Sequence, residues 1–153
     1  MIWNKIRPLY KKILIGVFLL LLAAGGVIWY IFNEKFTDTA ERKADYTVNA
    51  IDFIREFQKN DSLANAKYIE KIVTVNGVVS KIEPVSDTVV NIKMADAATG
   101  DYIIFAFQQE HAAEAKQLKE GGQASVKGSC SGGTYSEILE TRYISFKRSA
   151  LNK

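Results

Sequence analysis

Side chains able to do covalent or metal chemistry are few in this chain, which carries one histidine, His111, and one cysteine, Cys130. His111 has Glu110 and Glu114 beside it. Such a group on a helix face supplies at most part of a metal site, because a closed site wants a full, fixed ligand set. The plainer expectation is a solvated surface histidine, and no metal is expected. Cys130 shares its alternation with Val126 and is expected to pack as a small core residue rather than act as a thiolate. A lone cysteine forms neither an intrachain disulfide nor a thiolate cluster. No local motif sets Cys130 or a serine beside His111 as nucleophile and base, so no catalytic residue and no cofactor are expected. Gly132 and Gly133 in SCSGGTYSE lack the GK[ST] or GxGxxG context of a phosphate loop and are expected to form a turn between strands.

With covalent chemistry set aside, charge decides which ligands are plausible. All 17 acidic residues lie at or after Glu34, and the only charged side chains before it are Lys5, Arg7, Lys11 and Lys12. Removing those four from the 20 basic residues leaves 16 against 17, so the formal +3 of the whole chain becomes −1 for the rest. Nucleic-acid binding draws most of its affinity from a basic excess that neutralises phosphates, and here there is none.

The uncharged run at 13–32, ILIGVFLLLLAAGGVIWYIF, explains that split. Twenty helical residues at about 1.5 Å each span roughly the 30 Å hydrocarbon core of a bilayer. Trp3 and Tyr10 flank one end and Trp29 and Tyr30 the other, where amphipathic rings favour the headgroup region. A cleavable signal peptide ending near Ala23, Ala24 and Gly25 is the competing reading, but the apolar run continues through Val27 to Phe32. An uncleaved transmembrane anchor is expected, with residues 1–12 as a basic cytoplasmic segment and the remainder outside the cytoplasm, since Lys and Arg are retained inside. No lipobox cysteine follows the run.

The elements after the anchor must carry any binding function. Residues 33–47 are expected to form a solvated stalk, 48–147 a domain and 148–153 a tail. Ala50, Phe53, Ile54 and Phe57 recur at helical spacing, and Asn60, Asp61 and Ser62 open a second short helix toward Tyr68. Past Glu70 the pattern turns to β: 71–83 with Gly77 at a bend, then strands through Val89–Met94, Tyr102–Phe107, Gln123–Cys130 and Ile138–Phe146. A short helix over 108–119 separates the third and fourth. The fold class expected is all-β with helical additions: a five-stranded OB-fold-like barrel of order β-β-β-α-β-β behind an amphipathic helix and the anchor, an SH3-like small barrel being the alternative.

Several of these residues resemble a known family. Ala64, Asn65, Lys67, Tyr68, Lys71, Ile72, Val75, Gly77, Val79 and Ile82, followed by Leu118, Lys119, Gly121, Val126, Lys127, Gly128, Cys130 and Gly132, resemble the bacterial tRNA_anti-like family of OB-fold domains. The resemblance covers roughly 45–144 and implies the fold rather than an activity. A membrane-anchored haem chaperone has a similar outline, but its haem-attaching histidine follows the last strand, where SFKRSALNK has none.

OB-folds bind on the face of strands two and three and at the loops joining strands one to two and four to five. The ligand-binding candidates are therefore Asn91, Lys93, Tyr102 and Ile104 on the outer face and Thr134 and Tyr135 near the last loop. The expected function is a non-catalytic binding module on the inner membrane of a bacterium, facing out, for a protein of the envelope or a small polar ligand. Two alternatives stay open: a cytoplasmic nucleic-acid-binding domain, and an accessory subunit packing through Gly16, Ala23, Ala24, Gly25 and Gly26.

Overall fold

The computed structural model describes residues 3–33 and 37–153, which fall into two compact units divided after Phe36. The first is helix α1 (Trp3–Asn33). From Pro8 to Asn33 it is long and apolar enough to cross a membrane, and its large side chains stand exposed, Leu20 at 71% and Phe32 at 86%. A signal sequence near an N-terminus meets the same test. The run expected at 13–32 lies within α1.

The second unit begins with short strand β1 (Tyr46–Asn49) and helices α2 (Ala50–Lys59) and α3 (Asp61–Tyr68). Each helix starts at an asparagine whose side chain accepts an orphan backbone N–H: Asn49 from Ile51 and Asn60 from Leu63, both at 3.0 Å. The predicted stripe of Ala50, Phe53, Ile54 and Phe57 is buried. Phe53 meets Phe57 and Tyr68 edge-on at 5.1 and 4.8 Å between centroids, and these rings seat α2 and α3 on the sheet.

Strands β2 (Ile72–Val78), β3 (Lys81–Ser86), β4 (Val89–Ala95) and β5 (Tyr102–Gln108), helix α4 (Glu110–Lys116), and strands β6 (Gln123–Ser136) and β7 (Thr141–Leu151) complete the chain. The sheet runs β1-β2-β6-β7-β5-β4-β3, with β1/β2 and β5/β7 parallel and the other pairs antiparallel. Seven strands replace the expected five for two reasons. Tyr46–Asn49, placed in the stalk and helix start by its sequence, pairs with Val73–Asn76 instead. The expected first strand also divides after Val78: Val79 N–H donates to Gly122 O and Ser80 N–H to Lys93 O, so the chain passes from β6 on one side to β4 on the other. Gly77 precedes the break because α2 crosses there; a Cβ would stand 2.6 Å from that of Ala50.

Alternation in β4 and β5 buries Val90, Ile92, Met94, Ile103, Phe105 and Phe107 and turns Asn91, Lys93, Tyr102 and Ile104 outward. Of the expected solvated stalk, Glu34, Lys35 and Phe36 lie outside the described residues. From Thr37 the segment is tied to the sheet at a few points while Glu41, Arg42, Lys43 and Asp45 stay exposed: Thr39 is buried, Asp45 exchanges backbone and side-chain hydrogen bonds with Ile72, and Lys127 Nζ donates to Ala40 O and Arg42 O at 3.2 and 2.9 Å. Those two carbonyls are what allow Lys127 to be buried.

A tyrosine face and an uncharged groove as candidate functional site

Parallel pairing of β5 and β7 sets Tyr102 opposite Tyr143, and their rings stack 6.0 Å apart with planes 20° off parallel. Lys93, next to Tyr102 on β4, holds its ammonium 5.0 Å above the Tyr102 ring. The same ammonium pairs with Glu83 Oε2 at 3.1 Å, and Lys81 reaches Glu83 Oε1 at 3.0 Å. Hydrogen bonds from these lysines hold the Glu83 carboxyl below the usual carboxylate range. Asn91 is the partner of Glu83 and Ala106, Ile104 of Lys93 and Ser145, and Thr134 of Tyr143. The structure thus brings Asn91, Lys93, Tyr102, Ile104 and Thr134 onto one run of neighbouring strand positions. Tyr135 is not among them: strand alternation sends it to the other side of β6, where Arg142 lies 5.9 Å from its ring.

Beside this face lies a groove of about 270 Å³ between α3 and the β6–β7 hairpin. Its floor is fixed by Asn65, whose side chain donates to Gly133 O at 3.0 Å and accepts from Gly133 N at 2.8 Å. The turn expected at Gly132 and Gly133 is corrected: β6 runs on through Ser136, and the chain reverses over 137–140. Gly132, at φ +99°, makes a bulge there rather than a turn. Gly133 lets Phe57 approach, since a Cβ would lie 2.6 Å from its ring.

His111 is not the solvated histidine expected from sequence. Its ring is mostly buried, with Nε2 2.8 Å from Asp38 Oδ1 and 3.8 Å from Glu110 Oε1, and Nδ1 3.3 Å from Glu114 Oε2. Lys153 reaches the other Glu114 oxygen at 3.2 Å. Burial works against the charged ring, but Asp38 and Glu114 outweigh it and raise its pKa above the ordinary histidine value. Asp38 is itself held low, as the Ala40 N–H and His111 more than offset its burial. Asp38, Glu110 and His111 could each offer a ligand atom within 4.8 Å of the others. Both ring nitrogens already face carboxylates, however, which suits a protonated imidazole better than a ligating one. Cys130 is buried, and burial pushes its thiol up to about 11, far from a reactive thiolate.

Sequence reasoning missed Tyr143, Ser145, Asn65 and Asp38. The first two carried a usable signal, since Tyr143 and Ser145 alternate with the apolar Ile144 and Phe146. Asn65 and Asp38 gave none, because their partners are remote in the chain.

The tRNA_anti-like family model matches residues 7–140, which include the apolar helix. No curated protein matches this sequence. Among solved structures, the chain is similar to a lipoprotein of Klebsiella pneumoniae subsp. pneumoniae MGH 78578 whose nucleic acid-binding role is itself a proposal: 19% identity, TM-score 0.54, covering 69% of this chain and 91% of that one. It also matches parts of Entamoeba histolytica asparaginyl-tRNA synthetase at 15% identity and TM-score 0.39, covering 54% of this chain and 21% of that one. A Leishmania major protein proposed to be an aspartyl-tRNA synthetase matches at 9% identity and TM-score 0.43, covering 76% and 22%. The first likeness concerns fold alone, and the synthetase matches are too distant to carry weight.

Proposed function

The chain belongs to the tRNA_anti-like family, and from that premise we propose that it is a single-pass protein of a bacterial inner membrane. Its second unit, an OB-fold, faces out of the cytoplasm and binds a protein segment or small polar ligand without catalysis. The barrel reading is supported by the strand ends: β2 and β3, at or next to opposite ends of the strand order, are separated in sequence by Val79 and Ser80 alone. Taken as one bent strand, they close the order on itself as a five-stranded barrel with β1 added outside. The orientation rests on Lys5, Arg7, Lys11 and Lys12 before the apolar run, with little positive bias in the mixed-charge segment after it. A lipoprotein neighbour accords with an envelope setting.

The observation that carries the binding role is the stack of Tyr102 on Tyr143 beside Lys93, a flat partly apolar platform on the OB ligand face. The same platform is what favours a second reading, single-stranded nucleic acid, to which stacked rings contribute about 1–3 kcal/mol per base. Against it, Lys81 and Lys93 both pair with Glu83, which leaves a single net positive charge on that trio, and Glu70 pairs with Lys147 at 2.9 Å.

The deciding test is topology: reporters active only outside or only inside the cytoplasm, fused after Lys153. Activity of the outside reporter is expected. Activity of the inside reporter would overturn the orientation and turn attention to salt-dependent oligonucleotide binding.

A further inference from the structure

The groove beside the tyrosine platform has a chemistry of its own, and we propose that it takes a neutral saccharide. This rests on the binding-face reading above and deepens it by naming a ligand class.

Four hydroxyls line the groove, those of Ser131, Thr134, Tyr143 and Ser145, with Asn65 at its floor and Ile69 on one wall. No lining residue is charged. Among the described residues the hydroxyls of Ser131, Thr134 and Tyr143 have no hydrogen-bond partner, and that of Ser145 has only a 3.5 Å approach to Gly132 O. A hydroxyl both donates and accepts, as do the hydroxyls of a sugar ring, so such a lining can match a polyol without a charge on either side. Ile69, 44% exposed, and the Tyr143 ring supply apolar surface for the C–H face of a pyranose. The volume of about 270 Å³ is near the lower end of ligand pockets, a size suited to one or two sugar rings.

Other ligand classes fit less well. An added peptide strand needs free backbone donors and acceptors. Here β6 and β7 are paired with each other, and both backbone groups of Gly133 are satisfied by Asn65. A phosphate chain needs cations, and Lys147, two positions beyond Ser145, is already paired with Glu70.

The test uses the full chain in nanodiscs, so that no glycosidic detergent competes, titrated with two neutral probes, chitotetraose tetra-acetate and maltotetraose. Saturable binding of at least one, in the low millimolar range or tighter and unchanged by salt, is expected. The exposed-site double variant Ser131→Ala with Thr134→Val should bind it roughly tenfold more weakly while its circular dichroism is unchanged. Failure of both probes to bind overturns the saccharide assignment, as does binding that this variant leaves intact. Tyr102→Ala separates the two readings. Saccharide binding that survives Tyr102→Ala but not the groove variant supports the groove as the sugar site, which Tyr102 does not line. Binding of a peptide or oligonucleotide that Tyr102→Ala abolishes, with no saccharide bound, keeps the face and sinks the saccharide.

Discussion

Asp38 and His111 meet at 2.8 Å, and their contact fastens the segment that follows the N-terminal unit to the helix between β5 and β6. The imidazole faces a carboxylate on each side, Asp38 from that segment and Glu114 from its own helix, with Glu110 farther off and Lys153 behind Glu114.

This clasp carries a pH dependence of definite sign. The folded-state pKa of His111 is raised, so its contribution is fully present below the unfolded value of about 6.5 and is lost as pH rises through the folded value. Asp38 and Glu114 are depressed, and their contribution is lost only as pH falls through the acid range. With the intrinsic base-catalysed rise in exchange divided out, the protection of the Ala40, Glu41 and Arg42 amides should therefore fall from mildly acidic to mildly alkaline pH, and His111→Gln should remove that change in protection. A pH response that survives His111→Gln would refute the assignment.

Lys127→Met should destabilise by about 1–3 kcal/mol, because the carbonyls of Ala40 and Arg42 would lose their donor in a half-buried place. Thermal unfolding measures the loss, and trypsin should cut the variant at Arg42 or Lys43 sooner than the wild type.

Gly133→Ala should cost about 1–3 kcal/mol, since the new Cβ would stand 2.6 and 2.8 Å from two ring atoms of Phe57. Gly121→Ala meets nothing within 4 Å and suffers only its left-handed backbone at φ +82°, about 1 kcal/mol. Chemical denaturation of the two variants should rank them in that order.

The stacked pair Tyr102 and Tyr143 should show a coupling of about 0.5–1.5 kcal/mol in a double-mutant cycle to leucine. Coupling near zero would mean that the rings are placed by their strands and gain nothing from each other.

What the sequence made legible follows from the range of the forces involved. The apolar helix, the Phe53, Ile54, Phe57 stripe and the alternation through Val90–Met94 and Ile103–Phe107 are local patterns, and each reappears in the structure. The strand pairing of Tyr46–Asn49 was hidden because it depends on the free side of β2, and the handover at Val79 because it depends on Gly122 and Lys93. Gly132 and Gly133 looked like a turn because glycine serves close approach and turning alike, and only the position of Phe57 distinguishes them. Of the six candidate ligand residues, Asn91, Lys93, Tyr102 and Ile104 face outward as strand parity predicts, whereas Thr134, expected near a loop, stands within β6. Tyr135 falls on the opposite side of β6 because the hairpin continues past the bulge.

The parallel pairing of β5 with β7 bears on how the protein comes into being. Tyr102 leaves the ribosome well before Tyr143, since α4 and the whole of β6 lie between β5 and the strand β7 that carries Tyr143. Such non-local pairing closes late and slowly. A nascent or truncated chain that has not delivered Thr141–Leu151 presents β5 with an unpaired edge and has neither the tyrosine stack nor a complete groove. The tyrosine stack therefore waits for Thr141–Leu151 to be made, and during that interval the unpaired edge of β5 is open to pairing with other chains.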